Sequence, residues 1–595
     1  MKSVKYYLIA LIFSCFSLVH SQVYLNLDFE ETTSNGIVKD WKLGGNGYDL
    51  KIDSNICFSG KNSLYIEKIG NGNVGVGTSS FPIEDARGKQ LKYSGYIKTE
   101  NITEGFAGLW WRVDGASATL SFDNMAKRDI KGTTGWTKYT IEFKIDEKVT
   151  NINFGVIHPG NGKAWFDNLE IELDGKKYQQ SEPHVITLSD EQTNLLKEIV
   201  YPFETAEPAH NNNDLNFLKE MVGDAKIVSL GEGTHGTSEF FKMKHRITKY
   251  LAEEMGFTVF AIEANMPEAT KVNDYILYGK GNAKDALAGL YFWTWNTQEV
   301  LDMIEWMREF NKSKKGRVEF WGFDMQHPNV AIKNTLNFIQ KTDPEFFEKA
   351  KNKYDKIMSF NDETRKTRTN PTNIYIEPFL NYANEVYDYM KVNSSKYKKS
   401  SQSDSTEWIL QNAKIVVQSL EARMQNQMSR DESMALNVQW ILNNMPKDTK
   451  IVLWAHNGHI SKKKSNWLPM GAHLDKMYGE NMVVMGFCFH EGNYTALGKN
   501  KLSVYSTSIS EPGSLEWMMH GLNVPMSFLD LRKVKNSPLS KLFESEIEFR
   551  SIGALAMDYA FNRTKILDEF DALIYFDKTN PSKCFGLTSE KGGVK

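Results

Sequence analysis

The sequence predicts a multidomain protein in which an all-β jelly-roll sandwich is followed by an α/β domain with a mostly parallel sheet. The chain of 595 residues exceeds the length of one ordinary domain. Its first part alternates apolar and polar residues between turns, whereas its second part alternates buried-strand runs with helical patterns. We therefore expect a signal peptide at 1–21, the sandwich at 22–175, a linker at 176–190, and the α/β domain at 191–595 with a helical insertion or lid at about 330–445.

The N-terminal residues have the features of an export signal. Two lysines precede an apolar run that ends at Val19, and Ser21 provides a small residue at the expected cleavage point. The run is short for a membrane-spanning helix, and no later segment resembles one. We expect an exported protein, periplasmic or secreted, with no transmembrane segment in the mature chain. The alternative is a lipoprotein anchored at Cys15.

Charge and cysteine usage exclude two classes of protein. A net charge of −3 gives no electrostatic basis for binding nucleic acid. Beyond the predicted signal peptide the sequence holds Cys57, Cys488 and Cys584. An exported chain of this length with three scattered cysteines is not held together by a disulfide framework, and at most one pair can form.

The first unit combines a period-two pattern with a small set of motifs. Alternating runs at 63–67, 91–97 and 139–145 predict short strands of a sandwich. The motifs are Asp28-Phe-Glu30, Ser59-Gly-Lys-Asn-Ser63, Gly135-Trp-Thr-Lys-Tyr-Thr140 and Gly162-Lys-Ala-Trp-Phe-Asp-Asn-Leu-Glu170. Together they resemble the carbohydrate-binding-like jelly rolls that are often fused to exported enzymes.

Two pairs of residues are candidate ligands in this unit. Trp110 and Trp111 are candidates for stacking against a sugar ring, although adjacent strand residues face opposite sides, so at least one belongs in the core. Glu30 and Asp167 carry the oxygen atoms that suit Ca²⁺. The alternative for the acidic pair is an ordinary capped strand end.

The second unit is organised around a strand that ends in a turn with a carboxylate and an imidazole. Residues 227–230 form an apolar run, and Glu232 and His235 lie on the glycine-rich turn that follows. A helical pattern and a second buried strand come next, and this strand ends on Glu263. Such a unit implies a right-handed parallel crossover. We expect two neighbouring parallel strands that deliver the three side chains to one edge of the sheet.

Two later strands also end on polar residues. One strand runs to Asp324, and another leads directly into His456-Asn-Gly-His459. Open α/β sheets carry their chemistry at the carboxyl ends of their strands. These side chains are therefore expected to share a site with the first turn.

Six motifs after residue 190 occur in the order of a known family: Gly231-Glu-Gly-Thr-His235, Phe240-Phe241, Gly256-Phe257 with Glu263, Gly322-Phe-Asp324, Ala455-His-Asn-Gly-His459 and Glu511-Pro-Gly-Ser514. As a set they resemble the erythromycin esterase family. The resemblance implies an α/β fold with a helical subdomain over a deep cleft, and a metal-free site with no cofactor. It also implies ester hydrolysis, which in named members opens a macrolide lactone and points to antibiotic resistance.

The resemblance assigns roles to particular residues. His235 matches the catalytic histidine and Glu232 its neighbouring acid. Glu263 and His456 match the second acid and the later histidine. A lysine stands where the family typically has an arginine, and it lacks the bidentate fork of a guanidinium. The predicted substrate-binding residues are Lys244, Asp324, His459 and Trp295.

A water nucleophile fits these residue types. His235 can take a proton from water, while Glu232 or Glu263 holds the imidazole in the correct tautomer. His456 or Lys244 is expected to stabilise the oxyanion or protonate the leaving alkoxide. No Gly-x-Ser-x-Gly elbow lies at a strand end, which argues against a serine hydrolase of that type.

Three alternatives stay open at this stage. Thr234 is a minor candidate for the nucleophile. A metal-dependent hydrolase would use the histidines and glutamates at the strand ends as ligands. The chain would otherwise be a non-catalytic protein that binds a glycan or another ligand. The expected partner is a small-molecule ester or an acylated glycan, and the fused jelly roll favours the latter.

Overall fold

The computed structural model divides into two compact units, residues 1–184 and 185–595. It describes residues 24–585 except for 34–35, 116–117, 181–185, 368–370, 401–402, 425–426, 465–467, 499–500 and 558–559. The predicted signal peptide and the alternative anchor at Cys15 lie outside the described residues. No helix in the described ranges is long and apolar enough to cross a membrane.

The first unit is a sandwich of two antiparallel sheets, which confirms the predicted fold class. Its strands are β1 (Lys42–Gly44), β2 (Tyr48–Asp53), β3 (Ser63–Lys68), β4 (Gly75–Ser80), β5 (Gln90–Ile102), β6 (Gly108–Gly115), β7 (Thr119–Asp123), β8 (Gly132–Lys144), β9 (Val149–His158), β10 (Lys163–Leu173) and β11 (Lys176–Lys177). One sheet has the order β1-β4-β9-β6-β7, and the other has the order β2-β3-β10-β5-β8 with β11 paired to β10. Alternate residues of the long strands face the shared apolar core.

Both tryptophans predicted to stack on a sugar are enclosed by protein, so that prediction is wrong. Trp111 on β6 is fully buried and stacks on Phe154 with ring centroids 4.9 Å apart. Trp110 points the other way, but it is only 9% exposed, and its Nε1 donates to the carbonyl of Gly77 at 3.3 Å. Neither ring has a face available to a ligand.

The carboxylates predicted to hold calcium cap a loop instead. Oδ2 of Asp167 accepts the backbone N–H groups of Phe58 and Ser59 at 2.6 and 2.9 Å. Oε1 of Glu30 accepts the N–H of Lys61 at 2.7 Å. Because backbone donors occupy these oxygens, the structure supports the alternative of a capped loop.

The second unit contains a nine-stranded, mostly parallel sheet. Its strands are β12 (Val200–Pro202), β13 (Ile227–Leu230), β14 (Val259–Asn265), β15 (Glu319–Asp324), β16 (Ile451–Trp454), β17 (Met482–Leu497), β18 (Leu502–Thr507), β19 (Met526–Asp530) and β22 (Ala572–Thr579), and β20 (Ile547–Arg550) pairs with β21 (Phe561–Thr564) in a separate hairpin. The order is β12-β19-β22-β17-β13-β16-β14-β15, with β18 paired to β17. Strands β12, β18 and β19 pair antiparallel and the others parallel.

The first two strands of the parallel region are not neighbours, which corrects the sequence prediction. Strand β16 lies between β13 and β14 and pairs in parallel with both. The chain leaves β13 towards β14 on one side and leaves β16 towards β17 on the other. Such a reversal in strand order opens a crevice at the carboxyl edge, which is where ligands bind in open α/β sheets.

Helices cover this sheet and build a long insertion. Besides α1 (Ile83–Ala86) in the first unit, the helices are α2 (Asp190–Ile199), α3 (Leu218–Val222), α4 (Ser238–Glu254), α5 (Met266–Tyr278), α6 (Ala283–Ala288), α7 (Gln298–Lys312), α8 (Asn329–Thr342), α9 (Pro344–Thr367), α10 (Asn373–Val392), α11 (Ser394–Ser400), α12 (Ser403–Glu421), α13 (Arg430–Asn443), α14 (Asn457–Ile460), α15 (Met470–Tyr478), α16 (Leu515–Gly521), α17 (Leu531–Lys535), α18 (Ser540–Phe543) and α19 (Ile566–Glu569). Short 3-10 helices lie at Ala126–Arg128, Asn213–Leu215 and Gly479–Asn481. Helices α8 to α13 connect β15 to β16, as the predicted insertion requires.

Both faces of the sheet are buried. Ile227 and Leu453 belong to one apolar cluster, whereas their sequence neighbours Val228 and Val452 belong to another. Successive strand residues point to opposite faces, so two helical layers enclose the sheet. This double cover explains why the strands read as continuous apolar runs rather than as alternating ones.

The predicted linker is structured at both ends, and no disulfide joins the described cysteines. The predicted linker begins inside the sandwich, because β11 pairs with the end of β10. It ends where Ser189 and Gln192 form a capping box at the start of α2. Cys57, Cys488 and Cys584 are all free thiols.

Candidate active site

A crowded turn after β13 brings the polar residues to the edge of the sheet. A Cβ atom on Gly231 would lie 2.1 Å from Oδ1 of Asn457, and one on Gly236 would lie 1.9 Å from the carbonyl oxygen of Thr495. Space, rather than backbone conformation, therefore requires glycine at both positions. The turn is locked against α14 and β17, which fixes the direction of the side chains between the two glycines.

Glu232 is a fully buried carboxylate with three side-chain donors. Oε1 accepts from Nδ1 of His235 at 2.6 Å, and Oε2 accepts from Nζ of Lys244 at 2.5 Å and Nε1 of Trp454 at 2.7 Å. Burial opposes ionisation, but the charge of Lys244 and the hydrogen bond from His235 outweigh it and hold the pKa of Glu232 below its usual value. An ionised carboxylate only accepts, so the His235 proton lies on Nδ1.

Lys244 on α4 is the buried counter-charge of Glu232. Its side chain is 0% exposed, and Nζ lies 4.1 Å from the ring centroid of Trp454. Burial lowers the pKa of Lys244 to about 8, against the opposing influence of Glu232, so the ammonium persists at neutral pH. The prediction that Lys244 contacts the substrate is therefore wrong, because this buried lysine is bonded to Glu232.

His235 presents Nε2 as the ring nitrogen that can take a proton. Its side chain is 12% exposed, and its ring lies 5.1 Å from the ring of His456 and 6.1 Å from that of Trp295. Trp295 is buried, and its Nε1 donates to the carbonyl of Glu263 at 3.2 Å. Trp295 thus packs edge-on against the imidazole, which corrects its predicted role in binding substrate.

Arg430, the first residue of α13, joins the ends of two neighbouring strands. Its Nη2 donates to Oε1 of Glu263 at 2.6 Å and to Oδ2 of Asp324 at 2.9 Å, while Nε donates to Oδ1 of Asp324 at 3.2 Å. Burial opposes ionisation of Glu263, but His459 and Arg430 hold its pKa far below the usual value. Asp324 is fully buried and orients the guanidinium. The prediction that Asp324 binds substrate is therefore wrong.

His456 is held as a neutral imidazole. Its Nδ1 accepts the N–H of Gly458 at 3.1 Å, so the proton is on Nε2, which donates to the carbonyl of Ile552 at 3.1 Å. Burial lowers the pKa of His456 to about 3, and the nearby His235 and His459 add to the effect. With both ring nitrogens bound and no charge, His456 is not the proton donor or oxyanion ligand that the sequence suggested.

His459 links the same site to the second residue of α13. Nδ1 of His459 lies 2.7 Å from Oδ1 of Asp431, and Nε2 lies 3.0 Å from Nη1 of Arg430. Oδ1 of Asp431 also accepts the N–H of Met470 at 2.9 Å. The start of α13 therefore ties the helical insertion to the strand ends.

All eight predicted catalytic and substrate-binding residues meet at this edge in one network: His235, Glu232, Glu263, His456, Lys244, Asp324, His459 and Trp295. Sequence reasoning missed Arg430 and Asp431, which follow the helix cap Ser429 in a long helical stretch. Asp431 is ordinary in the first turn of a helix, whereas the cation of Arg430 is opposed there by the helix dipole, which is the only local signal of a special role.

The two rival chemistries gain no support from the geometry. Thr234 is fully buried, and its hydroxyl bonds that of Thr237 at 2.7 Å and accepts the N–H of Gly236 at 3.0 Å. It is therefore inaccessible as a nucleophile. In the ranges that the structure covers, no three or more histidine, cysteine, aspartate or glutamate side chains are arranged to hold a metal ion.

Comparisons with known proteins agree with this arrangement. Residues 252–579, more than half of the chain, match the family model described as erythromycin esterase. Erythromycin esterase type II of Escherichia coli is 26% identical over 421 residues, which cover 64% of this chain and 96% of that relative.

Solved structures share the fold of the second unit. A Bacillus cereus protein with a crystal structure has 26% identity and a TM-score of 0.60, covering 67% of this chain and all of its own. The erythromycin esterase EreC has 17% identity and a TM-score of 0.51, over 63% of this chain and 96% of its own. The match over residues 252–579 places this chain in the erythromycin esterase family.

Proposed function

We propose that this chain is an exported carboxylic ester hydrolase in which His235 activates a water molecule. The observation that carries the proposal is the 2.6 Å contact between Nδ1 of His235 and the buried carboxylate of Glu232. This contact leaves Nε2 as the basic nitrogen of a partly exposed ring. Membership of a family of esterases supports hydrolysis as the class of reaction.

The proposed reaction needs only the residues of this edge and water. Water attacks the ester carbonyl carbon as its proton moves to Nε2 of His235. Glu232 stabilises the imidazolium without accepting its proton, as an acid does in a catalytic triad. The tetrahedral intermediate then expels the alkoxide, which takes the proton from Nε2. The imidazole is thereby returned to its starting state.

Lys244 and Trp454 serve this step by holding Glu232. They donate to Oε2 at 2.5 and 2.7 Å. These two bonds fix the plane of the carboxylate and hence the position of Oε1 beside the imidazole. Lysine fulfils this role without a bidentate fork, because Trp454 supplies the second donor. The replacement of the arginine typical of the family is thus compatible with activity.

A second function, glycan binding by the first unit, is favoured by an aromatic cluster on the face of β5 and β8 that points away from the core. Phe58 is 40% exposed and stacks on Tyr96 with ring centroids 3.5 Å apart. Its ring meets Trp136 edge-on at 6.1 Å. Lys138 lies 5.9 Å from the Tyr96 ring and pairs with Glu170 at 2.9 Å. A partly exposed aromatic cluster beside polar groups suits the faces and hydroxyls of a sugar.

The glycan-binding face and the predicted export signal together favour an acylated glycan as the substrate. A macrolactone is the other candidate, by analogy with the named erythromycin esterases. Screening the protein against acylated polysaccharides and macrolides separates the two. Hydrolysis of macrolides alone, with no retention of polysaccharide, would contradict the glycan assignment.

Replacement of His235 tests the catalytic proposal. On the best ester from that screen, His235→Ala is expected to lower kcat by about 10²- to 10⁴-fold, because the general base is lost. Steady-state kinetics measure the change. His210→Ala is the matched control, since His210 also pairs with a glutamate, Glu204, at 2.9 Å but on the surface. Full activity of His235→Ala would rule out the scheme.

Replacement of Lys244 tests the role of the buried pair through pH. In Lys244→Met the carboxyl of Glu232 stays buried without its cation, so its pKa rises and the acid limb of the kcat profile moves to higher pH. The free energy of unfolding is expected to fall by about 3–5 kcal/mol. Kinetics across the pH range and denaturant unfolding measure the two effects.

Two further variants make the Lys244 result interpretable. Lys244→Arg restores the charge and is expected to return the acid limb towards lower pH. Lys242→Met removes a lysine from a more exposed pair with Glu207 at 2.6 Å and should change stability by about 0–1 kcal/mol. An unchanged pH profile in Lys244→Met would show that Glu232 does not depend on this cation.

The aromatic cluster is tested by affinity electrophoresis in gels that contain soluble polysaccharides. Phe58→Ala and Trp136→Ala are each expected to weaken retention roughly tenfold, because each removes a stacking surface. Phe122→Ala is the control, since Phe122 is 55% exposed on β7 of the other sheet. Equal losses in all three variants would contradict the assignment of the face.

A further inference from the structure

The basic side chains of the active-site network differ in what they can offer a substrate. Lys244 is fully enclosed and committed to Glu232. His456 is neutral and donates its only N–H to a backbone carbonyl. His459 lies between Asp431 and the guanidinium of Arg430. The side chain of Arg430 is 24% exposed, against 18% for His459 and 0% for Lys244.

The guanidinium of Arg430 is held in a fixed plane by its partners. Nε and Nη2 are bound to Asp324 and Glu263. In the neutral ring of His459 with its proton on Nδ1, facing Asp431, Nε2 accepts one N–H of Nη1 at 3.0 Å. A guanidinium carries five N–H donors, so the second N–H of Nη1 has no partner among the described residues. Charge-assisted hydrogen bonds of this kind orient the fork firmly.

Arg430 and the surroundings of His235 are connected through Glu263. Oε1 of Glu263 accepts from Nη2 of Arg430 at 2.6 Å. The backbone N–H of His456, whose ring lies beside His235, also binds Glu263, at 3.1 Å. The spare donor of Arg430 and Nε2 of His235 are thus linked through one carboxylate at the same edge of the sheet.

We propose that Nη1 of Arg430 binds the carbonyl oxygen of the ester and stabilises the oxyanion that forms there. The inference rests on the proposed ester hydrolysis and names the side chain that stabilises its oxyanion. As the water oxygen bonds to the carbonyl carbon and its proton passes to His235, the C=O π pair moves onto the oxygen beside Nη1. When the pair returns, the C–O bond to the alcohol breaks and the alkoxide takes the proton from His235.

The flanking carboxylates fit this role. Asp324 and Glu263 more than balance the charge of the guanidinium, so the group offers a substrate a directed N–H donor, like the backbone N–H groups of other oxyanion sites. A preorganised donor needs no rearrangement when charge develops on the carbonyl oxygen. Lysine cannot bind two carboxylates and one imidazole in a single plane, so it cannot replace Arg430.

Kinetics of Arg430→Gln and Arg430→Lys test the proposal. Each is expected to lower kcat by about 10²- to 10³-fold, the usual effect of removing one oxyanion donor. The decisive readout compares an oxoester with the thionoester of the same acid and alcohol, since sulfur accepts hydrogen bonds poorly. The preference for the oxoester is expected to fall about tenfold in both variants.

A control and a second measurement separate Arg430 from the fold and from the proposed function. Arg423→Gln removes another arginine of the helical insertion, one that lies between α12 and α13 and bonds Asn361 at 2.7 Å, and should leave the oxoester preference unchanged. An unchanged preference in the Arg430 variants would overturn the proposal even if kcat falls. If the unmodified protein hydrolyses no ester, the proposed function fails by itself.

Binding of a phosphonate, which mimics the tetrahedral oxyanion, then tests Arg430 without turnover. Calorimetry is expected to show affinity for methyl phosphonate esters that falls about tenfold in Arg430→Gln. Equal affinities of the unmodified protein and the variant, or no binding by either, would overturn the assignment of Nη1 as the oxygen ligand.

Discussion

The buried charge of Glu232 is the constraint on which the rest of the site depends. An ionised carboxylate removed from water costs several kcal/mol unless it is paired and hydrogen-bonded. Lys244, Trp454 and His235 supply those contacts at 2.5, 2.7 and 2.6 Å. Each donor comes from a different element, so α4, β16 and the turn after β13 must all be in place. The cost of burying the charge thereby fixes the tautomer and direction of the imidazole.

A second ionic layer joins the helical insertion to the sheet. Arg430 and Asp431 begin α13 and bind Glu263, Asp324 and His459 at the ends of three strands. The reversal in strand order between β13 and β16 provides the crevice, and these contacts line it. The helical insertion therefore contributes charged groups to the proposed chemistry as well as covering the sheet.

The sequence predicts which strand ends carry the residues of the site, but it does not predict the order of those strands in the sheet. Apolar runs that end on Glu232, Glu263 and His456 are local signals, and parallel strands bring such ends to one edge. The insertion of β16 between β13 and β14 depends on pairing with strands some 220 and 190 residues earlier in the chain, which no local pattern records. Arg430 was missed for the same reason, since its partners are distant in sequence. The wrong prediction that Trp110 stacks on a sugar shows that an aromatic residue in a strand indicates a buried core position as readily as a binding site.

Removal of the Glu232 charge without a change of shape tests this account most directly. Glu232→Gln keeps a side chain of the same size but places an amide against Nδ1 of His235 and beside Nζ of Lys244. The account predicts that kcat falls by roughly 10⁴-fold, the loss seen when the acid that orients a catalytic imidazole becomes an amide. Circular dichroism would report whether the variant remains folded. A folded Glu232→Gln protein with the kcat of the unmodified protein would contradict the central claim.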